Sequence, residues 1–282
     1  PGDFGVYSIA SRMLEALGTI LLFGYTTGVV SFVASHDAEG NDRAARGAVL
    51  GAATITGAAS VAVCMAMFLF PGATQMLFTG SSETVPLTGL LSIALPFLTV
   101  GMVIIHATIA RCTLLYKSLS ELVVDPVKLA AAVVLCYWLE LGAAGAVAVI
   151  VLYTFSRFVV AMVGLRKCFP RLKPGDIRHF RPLPLTAYSV PAMITDIAVF
   201  GVFKVNVLIG QRWLGEKELG IFAAAQSMAL IGLIGYSSVA TILRPYFVDL
   251  AAGAAREKAR HIFQTATRWC WHVGALPLLF IV

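Results

Sequence analysis

GAAGAVAVIVLYTFSRFVVAMVGL, residues 142–165, runs straight into RKCFPRLKPGDIRHFRPLP, residues 166–184. The reading of this junction decides the fold. The first segment is as long and apolar as a helix must be to cross a bilayer, about 20 residues. The second carries Arg166, Lys167, Arg171, Lys173, Arg178 and Arg181. In hydrocarbon every backbone N–H and C=O must be paired internally, so a span is a helix or part of a closed barrel. Barrel strands read as short alternating segments, and nothing in 142–165 alternates.

The same pattern extends in both directions. Apolar spans are expected over 6–33, 45–70, 86–109, 121–138, 142–165, 185–211 and 220–248, with an eighth opening near 263. The loops 36–46, 111–118, 166–184 and 249–268 fall on one side and hold fourteen Lys and Arg, against Arg212 and Lys217 on the other. Positive residues mark the cytoplasmic side. Composition agrees: 59% of the 282 residues are hydrophobic and 13% charged, and the mean hydropathy is +0.85. A soluble domain has about 25% charged residues. The net charge of +6 does not indicate nucleic acid, because the basic residues sit in short loops between spans. The five cysteines (Cys64, Cys112, Cys136, Cys168 and Cys270) form no C-x-x-C pair and read as small hydrophobes. The chain opens on Pro1-Gly2-Asp3, shows no signal peptide, and stops inside an apolar run at Val282, so it reads as an internal piece of a longer protein.

The basic segment 166–184 has two readings: a linker that anchors topology, or a short surface helix touching anionic lipid. Pro170, Pro174, Pro182 and Pro184 keep any helix there short. An internal repeat at an offset of 215 residues adds a further expectation. Phe4-Gly5-Val6-Tyr7 matches Leu219-Gly220-Ile221-Phe222, Met13 meets Met228, and Phe32-Val33 meets Phe247-Val248. The copies are six spans apart and so run parallel, as in transporters whose two bundles rock around a central site.

These residues carry a resemblance. Gly215-Glu216-Lys217-Glu218-Leu219-Gly220-Ile221-Phe222 resembles the "LG-x-x-x-x-G-x-Y" turn of polysaccharide flippases in the multidrug/oligosaccharidyl-lipid/polysaccharide exporter superfamily. Asp3-Phe4-Gly5-Val6-Tyr7-Ser8 is similar to the same turn in the first lobe. Ala107-Thr108-Ile109-Ala110-Arg111, Leu141-Gly142-Ala143-Ala144-Gly145-Ala146 and Arg244-Pro245-Tyr246-Phe247 resemble other helix ends of that family. One departure stands out: an acid–base pair often found late in the second lobe's first helix is replaced by Lys204-Val205-Asn206. The resemblance implies an all-α polytopic fold, with two helical lobes related by a parallel repeat around a central cavity. Residues 1–165 would be an N-terminal lobe (helices two to six), 166–184 a basic cytoplasmic linker, and 185–282 the start of a C-terminal lobe (helices seven, eight and part of nine).

No enzyme is expected. The sequence has no phosphate-cradling glycine loop, no zinc-spaced His/Cys set and no nucleophile elbow, and no cofactor or metal is implied. Charges inside spans are costly in lipid and mark wet cavities. Arg12, Arg157 and Lys204 are the expected binders of an anionic lipid-linked oligosaccharide, with Asp196 and Glu15 as coupling or protonation residues for H+ or Na+. Arg12 and Glu15, three apart, share a helix face. His106 reads as an interhelical hydrogen-bonding residue. Pro96, Pro191 and Pro245 read as hinges. The expected function is therefore a multi-pass flippase of the bacterial inner membrane, surrounded by membrane lipids. The alternatives are a cation-coupled multidrug antiporter, with Asp196, Phe200 and Phe203 as its acidic and aromatic cavity, and a non-transporting membrane scaffold.

Overall fold

The computed structural model describes residues 2–70, 72, 85–111, 114–210, 213–215, 217–228 and 230, with the short pieces 263–265, 267–269 and 271. The chain forms two compact units, Pro1–Gly220 and Ile221–Val282. In the second, the described residues are helical, with Ser227 and Thr267 hydroxyls donating to the carbonyls of Ala223 and Phe263, each at 2.8 Å. Most of the expected seventh and eighth spans, Arg244, Pro245 and the far half of the repeat lie outside the described residues.

Among the described residues, every regular element is helical. α1 (Gly2–Leu21) and α2 (Tyr25–Ala38) form a bent pair, with 42° between Tyr7–Leu21 and Tyr25–Ala38. The sequence pattern gives a continuous span here; the backbone breaks because Phe23 and Gly24 take φ of 49° and 68°. That left-handed conformation ends a helix and suits glycine. α3 (Asp42–Leu69) starts cleanly, since the Asn41 side chain accepts the Ala44 N–H at 3.2 Å. α4 (Val85–Ser92) and α5 (Ala94–Ala110) meet at a break four residues before Pro96, where proline leaves the Ser92 carbonyl without a helical donor.

The expected fourth span is the one the structure corrects. Residues 115–138 divide into α6 (Leu115–Leu122), α7 (Val124–Ala132) and a π-helical turn, Val133–Trp138. The cause is again a proline. Pro126 cannot donate to Leu122, the last residue of α6. The π turn closes with Leu139 N–H on the Val134 carbonyl at 3.0 Å. α8 (Gly142–Cys168) is the stretch quoted above. A 3₁₀ helix (Pro174–His179), α9 (Pro182–Phe203) and α10 (Val205–Gly210) complete the unit. Among the described residues, four helical segments are long and apolar enough to cross a membrane: α3, Gly89–Ala110, α8 and α9; counted as one span, the bent α1–α2 pair makes a fifth.

α5 lies at the centre, against α2, α3 and α8. Its Val103, Ile104 and Ile105 join Val29, Val33, Val49 and Phe169 in one buried cluster. Met13, Leu91, Leu95 and Val147 form a second, nearer the far end. Thr99 donates to the Ser60 hydroxyl at 3.1 Å, stitching α5 to α3 with the kind of interhelical bond that membrane bundles use. The exposed sides of α3, α8 and α9 are largely apolar. Only 11% of α9's most apolar window is buried, which suits a helix that meets lipid. Tyr137 and Trp138 stand about three-quarters exposed at the end opposite the basic loops, as interfacial aromatics do.

Candidate substrate cavity

The break after α1 positions the site. Gly24 sits so close to α9 that a Cβ there would lie 2.2 Å from the Ser189 carbonyl oxygen, and at Gly28 it would lie 2.0 Å from the Ser189 hydroxyl. Tyr25 and Thr186 share a 2.8 Å hydrogen bond, and Ser31 donates to the Tyr188 hydroxyl at 2.9 Å. α9 is thus clamped along α2, and a cavity of about 300 Å³ opens beside the clamp. Thr19, Leu22 and Thr26 line it from the break, Met102 and His106 from α5, and Asp196, Val199, Phe200 and Lys204 from α9 and its end. Broken helices with irregular backbone at membrane depth belong where they line a cavity. His106 Nδ1 lies 2.8 Å from the Met102 carbonyl, so that nitrogen carries the proton.

Lys204 sits at the step between α9 and α10, and its Nζ reaches Glu15 Oε2 at 3.0 Å. Arg12 reaches the same oxygen at 2.9 Å. Three of the five expected site residues, Arg12, Glu15 and Lys204, therefore meet across α1 and α9, and a fourth, Asp196, lines the cavity with Lys204. Arg157 stands elsewhere. On α8, it donates to the Tyr153 hydroxyl at 3.0 Å, with Lys128 over the Tyr153 ring at 4.5 Å. Asp125 bonds the same hydroxyl. With Arg157 set apart, the formal charges of Arg12, Glu15, Asp196 and Lys204 cancel.

Sequence reasoning missed a second polar assembly. At the basic face, Arg46 pairs with Asp176 at 2.8 Å and with Asp42, while Arg111 pairs with Asp37 at 2.9 Å and with Asp42. Arg111 also donates to the Cys168 carbonyl at 2.6 Å and stacks 4.0 Å from the Phe169 ring centre. Burial alone would lower the Arg111 pKa, but Asp37 and Asp42 outweigh it and hold the guanidinium above its ordinary value. Asp176 is held below the usual carboxylate range, first by the Lys173 backbone N–H and then, against burial, by Arg46. The available signal was the placement of these acids: Asp37, Asp42 and Asp176 fall in or next to loops that are otherwise basic. Among the described residues, no group of three or more His, Cys, Asp or Glu is arranged to hold a metal.

The profile of the family described as "Polysaccharide biosynthesis protein" matches residues 1–251. The chain belongs to that family. Among solved structures, this chain is similar to the inward-facing conformation of a multidrug resistance MATE family transporter of the MOP superfamily. The TM-score is 0.66 at 15% identity, over 99% of this chain and 68% of that one. No curated protein matches the sequence. The fold is that of the transporter it matches, and the apolar helices among the described residues make the chain a multi-pass membrane protein.

Proposed function

We propose that the protein moves a lipid-linked oligosaccharide or polysaccharide precursor from the cytoplasmic to the outer leaflet of the inner membrane, by alternating access. One observation carries the reading: a single carboxylate oxygen of Glu15 is shared by Arg12 and Lys204, which come from different helices. Such a pair of cations is held in place with its charge half-answered. The head group of a polyprenyl-diphosphate sugar carries at least two negative charges and answers both cations better than one carboxylate does. Loss of the Glu15 charge would release both cations, Lys204 into the cavity it lines and Arg12 beside it. Asp196, which lines the cavity from α9 with Lys204, is the second group through which an H+ or Na+ gradient acts. The two lobes, 1–165 and 185–282, move against each other about the 166–184 linker. The prenyl tail remains in lipid, where the apolar face of α9 offers no charge to impede it.

The test is translocation of a fluorescent polyprenyl-diphosphate oligosaccharide in proteoliposomes. Arg12→Ala and Lys204→Ala should each slow it about ten-fold or more, since a hydrogen bond to a charged group contributes about 1.5–3 kcal/mol. Full-rate translocation in both variants would remove the head-group role.

A second reading, a cation-coupled multidrug antiporter, is favoured by Asp196 and Phe200 lining the one cavity and by the fold match. It requires gradient-driven uptake of a cationic dye that is lost in Asp196→Asn, with the glycan left behind.

A further inference from the structure

A pair of cavities lies at the basic face, lined by none of the residues of the substrate cavity. The first, about 580 Å³, is lined by Arg43, Arg46, Arg171, Lys173, Asp176 and His179, with Pro170. The second, about 380 Å³, is lined by Leu50, Thr54, Leu172, Pro174 and Ile177, and again by Lys173. Lys173 is common to both, so a charged cavity and an apolar groove adjoin.

Their construction is rigid. The 3₁₀ helix lies on α3 where Gly47 and Gly51 leave it room: a Cβ at Gly47 would stand 2.8 Å from the Asp176 carbonyl oxygen, and one at Gly51 2.2 Å from the Phe180 ring. This is the small-xxx-small spacing that lets backbones approach. Arg46 and Asp176 are both buried and neutralise each other at 2.8 Å. Arg43, Arg171 and Lys173 are exposed at the rim without such cancellation, and His179 is exposed beside them. The charged cavity therefore has an anion's complement. The groove runs toward the apolar part of α3: Leu50 lies roughly 12 Å along α3 from Asp42, at 1.5 Å per residue.

We infer that the paired cavities hold one anionic glycerophospholipid, its phosphate among Arg43, Arg171 and Lys173 and an acyl chain along Leu50, Thr54, Leu172 and Ile177. The occupant is a lipid rather than a free phosphate because the charged cavity adjoins an apolar groove on α3, a helix long and apolar enough to cross a membrane. The lipid bridges α3 and the linker between α8 and α9, and so ties the linker's position to the composition of the leaflet. This site is independent of the substrate proposed above, and its test does not measure transport.

The experiment uses the whole protein in nanodiscs of phosphatidylcholine, titrated with phosphatidylglycerol, with bound lipid counted by native mass spectrometry. Each cation near a membrane surface contributes about 1 kcal/mol to anionic-lipid binding. The double variant Arg171→Ala/Lys173→Ala should therefore weaken phosphatidylglycerol retention roughly thirty-fold, and Arg171→Lys/Lys173→Arg should restore most of it. Inorganic phosphate and soluble glycerol phosphate, at millimolar concentration, should not displace the lipid. If the double variant retains lipid like the parent, or if soluble phosphate competes fully, the assignment is wrong. A photoactivatable phosphatidylglycerol covers the case of a variant that fails to fold. In the unmodified protein, its acyl chain should label peptides containing Leu50, Leu172 or Ile177, and labelling confined to other helices would equally overturn the site.

Discussion

Single residues decide how the two polar assemblies respond to protons. Asp176 accepts the Lys173 backbone N–H at 3.0 Å and the Arg46 guanidinium at 2.8 Å, and its pKa is lowered as a result. A carboxyl whose folded pKa lies below its unfolded value contributes stability that is complete above the unfolded value. That contribution is lost as pH falls through the folded one. The linker should therefore stay docked at neutral pH and loosen only in the acid range below the ordinary carboxylate value. Hydrogen exchange of residues 173–180, corrected for intrinsic rates, should show protection falling there in the parent. Asp176→Asn should be weakly protected at every pH. A parent with flat protection through that range would show that Asp176 is not the clamp. At this scale the sequence was half legible. Arg12 and Glu15 are three apart and pair as helix geometry dictates, and charge inside an apolar span already flagged Lys204 and Asp196. That Lys204 answers Glu15 across helices depends on a packing no local pattern encodes. So does the separation of Arg157, whose partner Tyr153 lies one turn away on its own helix.

Helices show where hydropathy falls short. Spans two, three, five and six were readable from apolar length, yet the breaks were not, because a break leaves the apolar run unchanged. Pro96 and Pro126 are visible in the sequence, but the consequence of each falls four residues upstream, at Ser92 and Leu122. The bend at Gly24 has no proline at all; it depends on φ of 68° and on the approach of α9. That dependence can be separated into its parts. Gly24→Ala should suffer twice, from left-handed backbone at about 1–2 kcal/mol and from overlap with the Ser189 carbonyl at about 1–3 kcal/mol. Gly40 has nearly the same φ, 70°, but nothing within 4 Å of its Cβ position, so Gly40→Ala should carry the backbone cost alone. Thermal unfolding of the two variants in detergent compares them directly. Equal destabilisation would mean that α9 does not press on the break, and that the cavity wall is looser than the Gly24 contact implies.

Across the whole molecule, one asymmetry organises everything else. The α2–α3 turn, the end of α5 and the end of α8 converge through Asp37, Asp42, Arg111 and the Cys168 carbonyl. Three of the four loops that the charge count placed on one side, 36–46, 111–118 and 166–184, thus meet at one end of the first unit through ion pairs; the fourth, 249–268, lies largely outside the described residues. Tyr137 and Trp138, with the start of α8, mark the other end. The helical fold and its basic end were legible because lipid imposes length and positive residues impose direction; the lobe-to-lobe repeat rests largely on residues beyond those described. The direction itself can be measured. With the native cysteines replaced, Glu39→Cys at the basic end should react with a membrane-impermeant maleimide only after cells are opened. Tyr137→Cys should react in intact cells, and neither position should be protected by burial, since both are exposed. The reverse pattern would invert the protein in the membrane. It would place Arg43, Arg171 and Lys173 against the outer leaflet and turn the proposed path of the glycan from export into import. Head-group capture by Arg12 and Lys204 would then have to be argued from the opposite leaflet, so this labelling fixes the sign of every transport step drawn above.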